Sequence, residues 1–272
     1  MQEILRAEHI TKAYGDKVVL DDININLNRG EIVCLLGVSG VGKTTLFNVL
    51  SGLMKPDSGR VLLREHDSVI DMDIPKAGSS EEAMNADSIS EDVTGISGRI
   101  SYMLQKDMLL EHKTVLDNAA LPLVISGMRK KAARDKAAEY FEQFEISGTE
   151  KKYPAQLSGG MRQRAALLRT YLCGNKVALL DEPFSALDTL TRTSLQEWYL
   201  KVMEEIDLST IFITHDIDEA ILISDRICIM KGSPAHITEE FVIDEPKPRG
   251  QDFMLTEQFL EYKRQIKGAL SV

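Results

Sequence analysis

The stretch from Ile32 to Thr45, IVCLLGVSGVGKTT, constrains the fold more than any other part of the chain. Residues Gly37 to Thr44 match the pattern G-x-x-x-x-G-K-[ST], in which a glycine-rich loop follows a buried strand and opens a helix. The glycines let backbone N–H groups surround phosphate oxygens, Lys43 adds a positive charge, and Thr44 offers a hydroxyl to Mg²⁺. The apolar run before the loop and the helical run TTLFNVL within and after it favour a phosphate loop over a chance match.

Five short apolar runs predict a parallel β-sheet. They are IVCLLGV, RISYMLQ, KVALLDE, STIFITHD and DRICIM, and helical patterns separate them. Such runs are typical of strands buried on both faces and joined by crossover helices. Four of the runs end in polar residues, and ligands bind beyond the carboxyl ends of such strands. We therefore expect these groups to converge: Gly37 onward, Gln105, Asp181 with Glu182, and His215.

The remaining patterns complete the predicted fold. Ile23, Ile25 and Leu27 alternate with asparagines, as in half-buried antiparallel strands. The chain is helical in pattern from Thr114 to Cys173, including an apolar stripe over 133–144. The fold class predicted is α/β: a P-loop NTPase core with a parallel sheet and crossover helices, N-terminal antiparallel β-strands and an inserted α-helical subdomain.

A last amphipathic helix is predicted after the Pro-rich stretch DEPKPRG. The run LTEQFLEYKRQIKGAL places Leu255, Phe259, Ile266 and Leu270 on or near one face. Docking of this helix on the domain is the favoured interpretation, and a partner-binding helix is the alternative.

Composition narrows the class of protein. The 272 residues carry a net charge of -10 with scattered basic residues, which argues against a nucleic-acid partner. No apolar segment approaches the roughly 20 residues needed to cross a bilayer, and the start MQEILRAEH lacks a signal-peptide pattern. We therefore expect a soluble cytosolic chain. Cys34, Cys173 and Cys228 have apolar neighbours and are interpreted as buried thiols.

The run VALLDE ends in two adjacent acids. Asp181 can bind a magnesium ion directly or through water, and Glu182 can orient and deprotonate an attacking water. The alternative is a solvated turn that Pro183 ends. His215 can reach a γ-phosphate as a donor, and Gln105 could contact Mg²⁺ or the water, although neither residue is persuasive in isolation.

A second loop, LSGGMRQR from Leu157 to Arg164, also places serine and glycines at a predicted helix start. Ser158 and Gly160 at a helix N-terminus suit an anion through hydrogen bonding and the helix dipole. The chain thus has a second candidate phosphate site far from the first in sequence.

These motifs occur in an order that resembles the ATP-binding subunits of ABC transporters over nearly the whole chain. The motifs are GVSGVGKTT, Gln105, LSGGMRQR, VALLDEP, SALD at Ser185 to Asp188, and His215. The resemblance implies a working ATPase with ATP and Mg²⁺ as cofactors, in which Tyr14 stacks on adenine. It implies that the phosphates are held by Gly37, Val38, Ser39, Gly40, Val41, Gly42, Lys43, Thr44 and Thr45. The resemblance also implies that the residues on the metal side are Thr44, Gln105 and Asp181. It implies that Glu182 is the catalytic base and that His215 senses the γ-phosphate. Gln105 is then a further catalytic residue.

The family also implies a role for the second loop. Ser158, Gly159 and Gly160, with Asp188 at the dimer seam, would act on ATP held by a second copy in a head-to-tail homodimer. Further implied partners are transmembrane permease subunits, met by Met108 to Glu111, and indirectly an extracytoplasmic substrate-binding protein. The subunit would lie peripherally on the cytoplasmic face of the cell membrane.

Stretches such as YMLQKDMLLEHKTVLDNAALPL look most like the nitrate, sulfonate and taurine importer branch. That likeness implies a bacterial importer of small anionic or nitrogen- or sulfur-containing solutes. The alternatives are an exporter subunit, a soluble ABC ATPase acting on DNA or ribosomes, and an ATP-binding regulatory module without turnover.

The expected domain is residues 1–244, with a helical subdomain at about 113–173, and residues 245–272 form a linker and helix. The acidic excursion at about 65–98 is longer than in that branch, and it is interpreted as a mobile surface loop or a regulatory docking loop.

Overall fold

The computed structural model describes residues 2–64, 98–185, 189–206, 208–250 and 252–271, with the backbone alone for 189–192 and 204. The strands are β1 Glu3–Tyr14, β2 Lys17–Asn28, β3 Ile32–Leu36, β4 Ser58–Leu63, β5 Ser101–Met103, β6 Val177–Asp181, β7 Ser209–Thr214, β8 Arg226–Gly232 and β9 Ala235–Val242. Over the described residues they form one sheet in the order β4-β1-β2-β9-β8-β3-β7-β6-β5.

The five strands predicted to be parallel form one end of this sheet. The pairs β8–β3, β3–β7, β7–β6 and β6–β5 are all parallel. Ile32, Cys34 and Leu36 of β3 lie in one apolar cluster, whereas Val33 and Leu35 lie in another. Because successive side chains point to opposite faces, β3 is buried on both sides of the sheet. The predicted α/β class is confirmed.

The N-terminal strands pair antiparallel, β1 with β2 and with β4. Ile23, Ile25 and Leu27 are buried as their alternation predicts. Strand β9 joins this antiparallel part to the parallel part, since it pairs antiparallel with β8 and, at Ala235, parallel with Leu20 of β2.

The helices cover the sheet and fill the segment between β5 and β6. They are α1 Lys43–Leu50, α2 Val115–Ala119, α3 Leu121–Ile125, α4 Lys130–Ala138, α5 Gly159–Tyr171, α6 Thr189–Glu205, α7 Ile217–Ile223 and α8 Glu257–Leu270. The stripe predicted over 133–144 is buried at Ala133, Ala137, Phe141 and Phe144, although α4 ends at Ala138 and turns follow it. The proposed division into domains stays a prediction.

The C-terminal helix α8 packs on the domain, since Phe259 and Ile266 belong to the larger apolar cluster. The prediction for Leu255 is wrong, because this side chain is 84% exposed. Leu255 ends a short 3₁₀ turn before Thr256, whose hydroxyl caps α8, so it lies outside the helix and out of phase with its apolar face.

Arg249 anchors the linker before α8. Its side chain is 4% exposed and donates to the carbonyls of Ile221 (2.6 Å), Ser224 (2.6 Å), Ile243 (2.9 Å) and Glu245 (2.8 Å). Two of these carbonyls lie at the end of α7, where helix geometry leaves carbonyls without intrahelical partners. One guanidinium therefore ties the linker to α7.

The sequence predicts that all three cysteines are buried. Cys34 and Cys228 are buried as predicted, but Cys173 is exposed, because it follows the last residues of α5 in a surface turn.

The acidic excursion at about 65–98 lies, except for Gly98, outside the described residues. Within the described ranges, no helix is long and apolar enough to span a membrane.

Candidate nucleotide-binding site

The carboxyl ends of three neighbouring parallel strands bring the predicted site residues to one edge of the sheet. Leu36 at the end of β3 pairs with Thr214 of β7, and Asp181 at the end of β6 pairs with Ile213 of β7. The residues that follow these ends are Gly37, Glu182 and His215. The predicted convergence of these groups is confirmed.

The phosphate loop has backbone geometry that only glycine accommodates at two points. A Cβ on Gly37 would lie 2.5 Å from the carbonyl oxygen of Met230. Gly42, which precedes α1, has φ 117°, and a Cβ there would lie 3.1 Å from side-chain atoms of both Val19 and Leu20. Helix α1 has no side-chain cap and no acid in its first turn, so its first N–H groups remain available to an anion.

The side chain of Lys43 is buried and hydrogen-bonded to the backbone of the phosphate loop. Its Nζ donates to the carbonyl oxygens of Gly37 (2.7 Å) and Val38 (2.9 Å), and the residue is 6% exposed. Burial lowers the pKa of Lys43, while the nearby charges of Glu182 and Asp181 oppose that shift. A buried ammonium group thus lies against the phosphate loop, near the carboxylates of Glu182 and Asp181.

Asp181 faces the first turn of α1. Thr44 Oγ1 donates to Asp181 Oδ2 at 3.2 Å, and Asp181 is 6% exposed. Burial raises the pKa of Asp181, and the hydrogen bond from Thr44 opposes this shift. The pair presents one hydroxyl and one carboxylate oxygen, and no group of three or more His, Cys, Asp and Glu residues that could hold a metal occurs in the part of the chain that the structure describes.

Glu182 is held by the two other predicted catalytic residues. Gln105 Nε2 donates to Glu182 Oε2 at 3.0 Å, and His215 Nδ1 lies 3.3 Å from Glu182 Oε1. Glu182 has φ 47°, a left-handed conformation that costs a non-glycine residue about 1–2 kcal/mol. The strained backbone thus occurs at the residue whose carboxylate is contacted by both Gln105 and His215.

The second loop forms a helix N-terminus, as predicted. Ser158 caps α5, and its Oγ accepts from the Met161 N–H at 3.3 Å. Gly159 and Gly160 are the first residues of that helix. Among the hydrogen bonds of the described residues, none joins this loop to residues 37–45. Asp188 lies outside the described residues.

The ABC transporter family model matches residues 20–185, which include both loops and the acid pair. The chain belongs to the ABC transporter family. Its members hydrolyse ATP, and this chain is an ABC ATP-binding subunit with that activity.

Individual relatives agree with this assignment. The chain is 38% identical over 237 residues to a formylaminopyrimidine import ATP-binding protein of Halalkalibacterium halodurans, covering 87% of this chain and 83% of the relative. It is 35% identical over 260 residues to an aliphatic sulfonates import ATP-binding protein of Bacillus cereus, covering 96% and 91%. A dimeric ATP-binding cassette in a post-hydrolysis state with ADP and Pi superposes with TM-score 0.69 at 27% identity, over 89% of this chain and 100% of that one.

Tyr14, the residue that the ABC resemblance assigns to adenine, lies at the end of β1. Its side chain is 50% exposed, and its hydroxyl donates to Met54 Sδ at 3.3 Å. An exposed ring with a fixed hydroxyl is compatible with stacking on a base.

Sequence reasoning missed Tyr102 of β5. Its hydroxyl oxygen is buried and near Asp181, and its ring packs edge-on against Phe47 of α1 at 5.9 Å. Burial raises the pKa of Tyr102, and the charge of Asp181 adds to the shift. The signal available was a tyrosine within an apolar strand, three residues before Gln105.

Sequence reasoning also missed the contacts of two arginines of α5. Arg162 and Arg169 reach Asp107, two residues beyond Gln105. The motif LSGGMRQR includes the first of them, but its partner lies 55 positions away.

Proposed function

We propose that this chain binds MgATP at the carboxyl edge of its parallel strands and hydrolyses it to power an importer of small anionic or nitrogen- or sulfur-containing solutes. The observation that carries the proposal is the position of Glu182. Both of its carboxylate oxygens are engaged, by Gln105 and His215, and it follows directly on Asp181, which contacts Thr44 beside the buried Lys43.

In this proposal the phosphates of ATP lie along the loop from Gly37 to Thr45. The free N–H groups at the start of α1 and the ammonium of Lys43 supply the positive potential. When ATP binds, Lys43 exchanges its hydrogen bonds with the Gly37 and Val38 carbonyls for bonds with phosphate oxygens. Adenine stacks on the exposed ring of Tyr14.

The oxygen donors near Lys43 fit Mg²⁺. This ion prefers hard oxygen ligands and is usually held by one or two carboxylates together with substrate phosphates. Thr44, Asp181 and Gln105 supply a hydroxyl, a carboxylate and an amide oxygen at the same edge. A bound Mg²⁺ would neutralise phosphate charge and orient the γ-phosphate.

The hydrolytic step then depends on Glu182. Its carboxylate accepts a proton from a water molecule as that water attacks the γ-phosphorus and the bond to the β-phosphate oxygen breaks. Gln105 and His215 orient the two carboxylate oxygens, and His215 reaches the γ-phosphate. The products are ADP and phosphate.

A second copy completes the site. Ser158 caps the helix that Gly159 and Gly160 begin, and among the described residues no hydrogen bond joins this loop to the phosphate loop. These three residues suit the γ-phosphate of ATP held by another copy. Asp188 is proposed at the seam of this pair. The solved ATP-binding cassette that is dimeric with ADP and Pi supports a homodimer, and the head-to-tail arrangement that closes on ATP is part of our proposal.

The importer assignment rests on the relatives, whose names include formylaminopyrimidine import and aliphatic sulfonates import. The proposed partners are transmembrane permease subunits, contacted through Met108 to Glu111, and indirectly an extracytoplasmic binding protein. Met108 is 55% exposed, as such a contact requires. The subunit would then lie on the cytoplasmic face of the membrane.

Two measurements test the proposal. The purified chain should release phosphate from MgATP, and the chain isolated from its native cells in mild detergent should bring a pair of integral membrane proteins with it. Recovery with ribosomes or DNA and without membrane proteins would refute the transport role. Absence of MgATP hydrolysis by both the isolated chain and such a complex would refute the enzymatic one.

A further inference from the structure

The segment from Gln105 to Leu110 connects the sheet to the helices that follow it. Gln105 contacts Glu182, whereas Leu109 is buried in the apolar cluster around the helices. Between them, Met108 has φ 49°, a conformation that a non-glycine residue keeps only when its surroundings hold it. The segment therefore contains a strained turn at Asp107 and Met108.

Arg169 of α5 holds this turn with two parallel bonds. Its Nη1 donates to the Met108 carbonyl at 2.7 Å, and its Nη2 donates to the Asp107 carbonyl at 2.6 Å. A planar guanidinium is suited to two acceptors in fixed positions, which an ammonium group is not. Burial lowers the pKa of Arg169, while the charge of Asp107 opposes the shift.

The side chain of Asp107 strengthens the same connection. Its Oδ2 accepts from Arg162 Nε at 3.2 Å, and its Oδ1 accepts from the Leu109 N–H at 3.1 Å. Arg162 also donates to the carbonyl of Leu157, which precedes the cap of α5. Asp107 is thus bonded to α5 at two points and to its own turn at a third.

Helix α5 begins at the second loop, so the turn is attached to the element that carries Ser158. Only Lys106 separates Gln105 from Asp107, and two residues span at most about 7 Å of extended chain. Gln105 and Asp107 therefore stay within about 7 Å of each other, so a displacement of Gln105 that exceeds this limit also moves the turn.

We propose that Arg169 is a positioning residue that makes the turn at Asp107 and Met108 move together with α5. Gln105 beside Glu182 in one ATP site and Ser158, which meets the ATP of the second copy, are then set by one connected unit. The inference rests on the proposed ATP-driven dimer. Without Arg169 the turn loses its two hydrogen bonds to α5. The position of Ser158 then no longer follows the position of Gln105.

The test uses the full chain with Glu182→Gln, so that bound ATP is not consumed, and compares it with the same chain carrying Arg169→Gln. ATP affinity of the monomer is measured by equilibrium dialysis at low protein concentration, and ATP-driven dimerisation by analytical ultracentrifugation. We expect monomer affinity to change less than about twofold, because the phosphate loop is untouched, and dimerisation to weaken at least about tenfold, which is about 1.4 kcal/mol.

Arg134→Gln is the matched control. Arg134 lies on α4, which like α5 lies between β5 and β6, and its Nη1 is 3.6 Å from Asp117 Oδ1, so this contact involves neither the second loop nor residues 105–110. Loss of one arginine from this helical segment is common to both variants, so this control should dimerise like the parent. Arg169→Lys keeps the charge without the two-pronged donor and should weaken dimerisation as Arg169→Gln does.

The outcomes separate the inference from the function on which it rests. A parent that stays monomeric with ATP overturns the proposed dimer and this inference with it. A parent that dimerises while Arg169→Gln dimerises equally well overturns this inference alone, and so does equal weakening by Arg134→Gln. If Arg169→Gln does not fold, Arg162→Gln replaces it, with a weakening of about threefold expected and unchanged dimerisation counting against the inference.

Discussion

The side-chain amide of Gln105 donates to the carboxylate of Glu182 at 3.0 Å across 77 positions of sequence. The bond joins the segment that leaves β5 to the residue that follows β6, and His215 approaches the other oxygen of the same carboxylate. One strained glutamate is therefore the point at which three separate segments meet.

Replacing Glu182 by Gln should lower the rate of ATP hydrolysis at least about 10²-fold, because the amide cannot accept the water's proton. Hydrogen bonds with Gln105 and His215 remain possible, so the variant should fold and accumulate as an ATP-bound dimer. Phosphate release and sedimentation measure the two effects. Glu197→Gln, an exposed change on α6, is the control, and normal turnover in Glu182→Gln would refute the assigned base.

Ser158→Arg should silence hydrolysis while leaving ATP binding by the monomer largely intact. The arginine obstructs a loop that the proposal places against the second copy's ATP, and the chain's own phosphate loop is unchanged. Equilibrium binding and phosphate release check this. Ser158→Ala controls for loss of the helix cap, which should lower stability by about 1 kcal/mol. Equal collapse of ATP binding in Ser158→Arg would contradict action on the partner's nucleotide.

Asp181→Asn should stabilise the nucleotide-free protein at pH 7 while abolishing Mg²⁺-dependent hydrolysis. Burial raises the pKa of Asp181 in the folded state above the ordinary 3.8, so the folded protein binds this proton more tightly than the unfolded chain does. The charged Asp181 carboxylate therefore destabilises the folded parent protein. This destabilisation is absent below pH 3.8, grows as pH rises from 3.8 towards the raised pKa, and is complete above the raised pKa.

The stability advantage of Asp181→Asn should therefore be larger at pH 7 than near pH 3.8. Urea unfolding without nucleotide, in the presence of a chelator, measures it at both ends of this range. An advantage that grows on acidification would contradict the assigned direction of the shift. Asp252→Asn, an exposed change in the C-terminal segment, is the control.

Arg249→Gln should lower the free energy of unfolding by about 2–4 kcal/mol, because several buried carbonyls lose a charged donor together. Denaturant unfolding measures the loss, and proteolysis after residue 245 should become faster as the linker detaches from α7. Arg264→Gln, whose side chain is 75% exposed, should change stability by less than about 0.5 kcal/mol. Equal stability of the two variants would show that the linker does not depend on Arg249.

Several elements could be predicted because their signals are local. The phosphate loop needs glycines, a lysine and a threonine at fixed spacing, and Gly37 and Gly42 occupy positions where a side chain does not fit. The parallel strands are short apolar runs, and polar residues at their ends are constrained to one edge once the strands are parallel. Glu182 and His215 were therefore predictable without knowing the order of the strands.

Local periodicity also misled in two places. Leu255 continues the apolar spacing of α8, but the helix begins after the cap at Thr256, so the phase does not extend to it. Cys173 has apolar neighbours in sequence, yet the end of α5 leaves it in a surface turn. A pattern of neighbours indicates burial only within a continuous helix or strand.

The chain's own pattern was thus sufficient for the class of fold, the phosphate loop and the identity of the acids beside it, because spacing along a strand or loop determines which way those groups point. The folded structure alone established that β9 joins the antiparallel and parallel parts of the sheet and that Tyr102 approaches Asp181. It also established that Arg169 is hydrogen-bonded to the turn at Asp107 and Met108, which follows Gln105. Those contacts join residues far apart in sequence, and they depend on how helices pack against the sheet, which no local spacing encodes.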